Sequence, residues 1–87
     1  MTKVKAEWYL ALTFDCDKHN GFDIAEKLEE KFEENVSGTG YGGGGRDINF
    51  YGSKKDVEKI QSYVNRYYKK ALTYEDFYLM DADYNRV

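Results

Sequence analysis

Between Lys5 and Asp15 apolar and polar side chains alternate: Trp8, Leu10, Leu12 and Phe14 fall on one side, Tyr9, Ala11 and Thr13 on the other. A period of two over that length predicts a β-strand with one strongly apolar face. After the turn KHNG the period changes. Ile24, Ala25, Leu28, Phe32 and Val36 recur at intervals of three and four, which predicts an amphipathic helix from Phe22 to Val36. Asn20 or Asp23 can cap its start, and Asp23 has Glu26 three residues on, as in a capping box.

The stretch SGTGYGGGGRDINFYG, residues 37 to 52, follows and holds seven of the eight glycines. Within it Thr39 and Tyr41 alternate with glycine as a short strand. Gly42 to Gly45 are expected to turn the chain, because glycine adopts the positive φ that a tight hairpin needs. Ile48 and Phe50 then alternate with Asp47, Asn49 and Tyr51, which predicts a further strand. A second helix starts at Ser53 and runs to Lys70, with Val57, Ile60, Val64 and Tyr67 as its apolar stripe; Asp56 suits its N-terminal end and the closing lysines its C-terminal end. A last strand is expected from Asp76 to Ala82. It carries Phe77 and Leu79 on one face and Tyr78 and Met80 on the other, and Asp81 and Asp83 bring it out toward solvent.

Strand, helix, strand, strand, helix, strand is the βαββαβ order of a ferredoxin-like α+β domain, with both helices on one face of a four-stranded antiparallel sheet. In the strand order 4-1-3-2 of that arrangement the two most apolar strands, those of Leu10 and Ile48, are central. At 87 residues the whole chain, 1–87, is expected to be one such domain. No apolar run reaches the roughly 20 residues of a membrane span, and no cleavable leader is recognisable, so a cytoplasmic protein is expected. The single cysteine, Cys16, excludes an internal disulfide and fits a reducing compartment.

Charge adds a second layer. The net charge of −3 argues against general nucleic-acid binding, which calls for a basic footprint. It is also unevenly spread. Residues 23 to 34 hold Asp23, Glu26, Glu29, Glu30, Glu33 and Glu34 against two lysines, whereas residues 54 to 70 carry six basic side chains against two acids. One helix is therefore acidic and the other basic.

Candidate chemistry narrows the function chiefly by failing. Gly38, Gly40 and Gly43 match G-x-G-x-x-G, and Gly40 to Arg46 resembles a Walker motif, but a phosphate cradle needs a strand before the glycines and a helix N-terminus after them. Here a helix precedes and a strand follows. DCDKHNGFDIAE places Asp15, Asp17, His19, Gly21 and Glu26 at positions 1, 3, 5, 7 and 12 of a calcium loop, yet the required sixth-position glycine is Asn20. Asp15, Asp17 and Asp23 could hold Mg²⁺, and they equally suit a solvated helix start. Cys16 lacks a recognisable base. No catalytic set, cofactor or metal site is expected, and the chain is not expected to be an enzyme.

Aromatic side chains are the positive signal: nine tyrosines, five phenylalanines and Trp8. Strand parity places Tyr9 and Thr13, Asp47, Asn49 and Tyr51, and Tyr78 and Met80 on the sheet face away from the helices, with Tyr41 and Arg46 grouped with them beside the glycine turn. Tyrosine combines contact area with a hydrogen-bonding tip, so such a face has the composition of a protein interface, for a different protein or for a second copy of this one. The layout also resembles an RNA-recognition motif, in which aromatics of the two central strands stack bases. That resemblance implies Tyr9 and Tyr51 as stacking residues and Arg46 near a phosphate, although GGGGRDINFY sets Asp47 and Asn49 where the motif has aromatic or small residues. A small, proline-free, acidic, tyrosine-rich domain without a catalytic set further resembles the inhibitor proteins of phages and mobile elements, such as anti-CRISPR proteins, and bacterial toxin-immunity proteins. This implies action by occupying a partner's surface, with Glu26, Glu29, Glu30, Glu33 and Glu34, and Asp81 and Asp83, as carboxylates that stand in for nucleic-acid phosphates.

Overall fold

The computed structural model describes residues 7–81, 85 and 86. Four strands, β1 (Glu7–Asp15), β2 (Val36–Gly42), β3 (Gly45–Gly52) and β4 (Leu72–Met80), form one sheet in the order β2-β3-β1-β4, with every neighbouring pair antiparallel. Two helices, α1 (Gly21–Lys31) and α2 (Lys54–Tyr67), complete the βαββαβ order of a ferredoxin-like α+β fold. No helix among the described residues is long and apolar enough to cross a membrane.

The fold follows from the alternation on the two central strands. Leu10, Leu12 and Phe14 of β1 and Ile48 and Phe50 of β3 are buried against Ala25 and Leu28 of α1 and Val57, Ile60 and Val64 of α2. Removing each of the larger side chains from water contributes about 1.5–3 kcal/mol. Both helices thus cover the same face, and among the described residues no helix lies against the opposite face of the sheet.

Each helix stops earlier than its apolar pattern suggests, and for the same reason. α1 ends at Lys31, where the Phe32 N–H closes on the Leu28 carbonyl, and a single 3₁₀ turn (Glu33–Asn35) leads into β2. Val36 is apolar because it pairs with Phe50 across the sheet, not because the helix continues to it. α2 likewise ends at Tyr67, and a 3₁₀ turn (Lys69–Ala71) takes the chain into β4, which starts at Leu72 rather than Asp76. This shifts the aromatic assignment by one residue. Tyr67 is 58% exposed, while Tyr68 turns in and meets Phe14 edge to face at 6.5 Å. Ala82 and Asp83 lie outside the described residues, as does Lys5, the expected start of the first strand.

Helix starts obey local chemistry. The Asn20 side chain accepts the Asp23 N–H, so Asn20 is the cap of α1 and Asp23 sits in its first turn; Ser53 caps α2 through the Asp56 N–H. The hairpin between β2 and β3 turns on Gly43 and Gly44, with φ of 60° and 77°. Positive φ at both central residues is the geometry whose twist matches paired strands. The turn is also held from the side, since the Cys16 N–H donates to the Gly44 carbonyl at 2.8 Å.

Gly21 is required for a different reason. A Cβ there would lie 2.8 Å from the Phe14 carbonyl oxygen and from Cys16 Sγ, and 2.9 Å from the Asp15 carbonyl oxygen. Backbone cannot yield as a flexible side chain can. Gly21→Ala is therefore expected to destabilise the protein by about 1–3 kcal/mol, and Ser53→Ala by about 1 kcal/mol through the lost cap. Urea unfolding followed by circular dichroism measures both.

Candidate functional site: the open sheet face

Strand register builds the open face row by row. Tyr51 pairs with Tyr9, and Tyr9 with Tyr78, so three tyrosines from β3, β1 and β4 stand side by side. Their ring centroids are 6.0 and 5.7 Å apart, at interplanar angles of 25° and 12°. Strands about 4.8 Å apart leave neighbouring rings little choice but to stack. All three side chains are half-buried, which leaves a broad aromatic ridge across the sheet.

The next row is Asn49, Ala11 and Asp76, and the one after it Asp47, Thr13 and Tyr74. Ala11 makes a dip behind the tyrosine ridge, with a polar side chain on either side. Thr13 Oγ1 donates to Asp47 Oδ1 at 2.8 Å, and the Tyr74 hydroxyl donates to Asp76 Oδ2 at 3.3 Å. On β2 the residues that look out on this face are Gly38 and Gly40, opposite Asn49 and Asp47. That flank of the face is bare backbone. Met80 lies at the far end of β4, opposite Glu7.

Seven of the expected interface residues thus share one face: Tyr9, Thr13, Asp47, Asn49, Tyr51, Tyr78 and Met80. Tyr41 and Arg46 do not. They pair with each other in the same phase as Ile48 and Phe50, so both side chains lie on the helix side of the sheet. There Tyr41 packs on Phe22 of α1 at 4.7 Å, the Arg46 guanidinium sits 5.7 Å from the same ring, and Arg46 Nη1 donates to the Gly40 carbonyl at 3.2 Å. Parity alone could have placed Arg46, which is two residues before Ile48. Grouping it with the glycine turn concealed this.

Tyr74, Asp76 and Arg86, and with them Glu7, belong to the face without having been singled out from the sequence. Tyr74 and Asp76 share the parity of Tyr78 and Met80, and starting the strand at Asp76 hid the connection. Arg86 is brought back by Asp81. The Asp81 N–H donates to the Asn85 carbonyl, the Asn85 N–H donates to Asp81 Oδ1, and Arg86 bridges to Met80. Its guanidinium then sits 4.3 Å from the centroid of Tyr78 and pairs with Asp76.

The acidic residues Glu26, Glu29, Glu30, Glu33 and Glu34 are all exposed, but on the helix layer, behind the sheet as seen from the tyrosines. The two candidate surfaces are therefore separate. The polar loop from Asp15 to Asp23 is internally engaged: Asp15 accepts the N–H groups of Asp17 and Lys18, and these bonds hold its carboxyl below the usual range, while Asp23 pairs with Lys27 at 3.0 Å. Among the described residues no group of three histidine, cysteine or acidic side chains comes together as a metal site. Comparison of the chain with protein-family models, with curated proteins and with solved structures finds no match.

The Asp76 carboxylate raises the pKa of the Tyr74 phenol, because a second negative charge beside it is unfavourable and the phenol proton bonds to it. A phenol with a raised folded pKa stabilises the fold below the ordinary tyrosine range, and that contribution is lost as pH rises through the folded value. Asp76→Asn is expected to bring the Tyr74 midpoint down, as followed by NMR across an alkaline titration. An unchanged midpoint would contradict the contact.

Proposed function

We propose that this protein is a non-catalytic binding module that acts by protein–protein contact through the open sheet face. The stacked row Tyr51, Tyr9 and Tyr78, on a face that no helix among the described residues covers, carries the reading. Rigid aromatic side chains, already ordered by their neighbours, give contact area at little further entropy cost and dominate binding energy in interfaces. Thr13, Asn49 and Asp47 around them supply polar contacts, and Met80 an adaptable apolar one.

Charge shapes the choice of partner. Glu7, Asp15, Asp47 and Asp76 point to this side of the sheet, against Arg86 as the one basic side chain among its described residues. Two such faces brought together would repel, so a different, basic protein suits this surface better than a second copy. The small size, the net negative charge and the exposed glutamates of α1 suit an inhibitor that occupies a basic surface, such as that of a bacterial defence nuclease or a toxin.

Single-stranded nucleic acid is the second reading. It is favoured by one observation, the placement of Tyr9 and Tyr51 as neighbours on the two central strands, and opposed by the carboxylates that share their face.

The double variant Tyr9→Ala, Tyr51→Ala decides the matter. Loss of two central tyrosines is expected to weaken capture of the partner from native lysate by about thirtyfold or more, corresponding to about 2 kcal/mol or above for a hot-spot pair, with the circular dichroism spectrum unchanged. Undiminished capture by the folded variant would exclude the face as the interface. Micromolar, salt-sensitive binding of labelled oligonucleotides by the wild type would instead favour the nucleic-acid reading.

A further inference from the structure

We infer that the β4 side of the open face is an arginine-recognition site, and that Arg86 of the chain itself stands where an arginine of a basic partner segment binds. The inference rests on the sheet-face reading above and specifies the chemistry that this face accepts.

Three side chains define the site. The Tyr78 ring is the floor, with the Arg86 guanidinium carbon 4.3 Å from its centroid. Asp76 is the wall, its Oδ1 paired with Arg86 Nη2. Tyr74 orients that wall by donating its hydroxyl proton to Asp76 Oδ2, which leaves Oδ1 for the guanidinium. A planar guanidinium can lie over a ring and donate in its own plane to a carboxylate at the same time. A lysine ammonium, a compact and strongly hydrated point charge, makes the same pair of contacts less well. The site is therefore selective for arginine over simple positive charge.

Arg86 is a replaceable occupant. Its side chain remains 57% exposed. It is held in place by the paired hydrogen bonds between Asp81 and Asn85 and the bridge to Met80. An intramolecular ligand has a high effective concentration, so it competes with any arginine from outside. Next to the occupied position the ridge continues through Tyr9 and Tyr51, with Asn49 beside Tyr51 as Asp76 stands beside Tyr78, and Asp47 one row further along β3. An extended segment can thus follow the row across the sheet with its arginine placed between Tyr78 and Asp76.

The test uses the full chain and two synthetic peptides, Arg-Gly-Arg-Gly-Arg and its lysine counterpart, titrated at low salt into ¹⁵N-labelled protein. The arginine peptide is expected to shift amides of β1, β3 and β4 around Tyr9, Tyr51 and Tyr78, and to bind more tightly than the lysine peptide. Arg86→Ala is expected to tighten binding by roughly fivefold or more, as removal of a tethered competitor must. Asp76→Asn is expected to weaken it by about tenfold, in line with the loss of a charge-assisted pair. Arg86→Lys, which keeps the charge and the fold, is expected to fall between wild type and Arg86→Ala.

Equal affinity for the two peptides, or an Arg86→Ala variant that binds no better than wild type, overturns the inference. So does a wild-type dimer that Arg86→Ala dissolves in sedimentation analysis, since Arg86 would then serve a second copy. Failure of the sheet-face reading looks different: partner capture would survive Tyr9→Ala, Tyr51→Ala even where the arginine peptide still bound beside Asp76.

Discussion

The side-chain alternation of β1 is the constraint from which the rest of the molecule follows. Hydrogen-bonded on both edges, to β3 and β4, this strand cannot slip by one residue without moving Leu10, Leu12 and Phe14 into water and Tyr9 and Thr13 into the core. The register that buries the core is thus the same register that aligns Tyr51, Tyr9 and Tyr78. Core and candidate interface are two readouts of one pairing.

That coupling explains why much of the fold was legible in the sequence. Period-two strands and period-three-to-four helices announce themselves where one face is strongly apolar, as in β1, β3 and the first turns of both helices. Legibility failed where a residue serves two patterns at once. Val36 continues the spacing of α1 yet belongs to β2, and Tyr67 continues the stripe of α2 while Tyr68 takes the place in the core. In both cases a tight 3₁₀ turn rephases the chain, and apolar spacing carries no signature of such a turn.

The candidate site was legible to the same degree. Parity placed the tyrosines of the central strands, because their partners on the other face are unambiguous. It did not place Arg86, whose position depends on the Asp81 to Asn85 hydrogen bonds beyond the end of β4. Tyr41 and Arg46 were grouped by nearness to the glycines, whereas the structure uses them to fasten β2 and β3 to Phe22 of α1. Aromatic residues in this chain therefore do two kinds of work: on the helix side they join layers, and on the open side they stack within one.

The glycines divide in a similar way. Gly21 is hemmed in by backbone, and Gly43 and Gly44 take positive φ, so the fold itself dictates them. Gly38 and Gly42 have neither excuse: apart from their own chain neighbours no described atom lies within 4 Å of where a Cβ would stand, and neither takes a positive φ. Folding would accept a side chain at both positions on steric grounds. Any intolerance to one there would be the imprint of another molecule's surface on this one, recorded in the part of the chain that has the fewest atoms of its own.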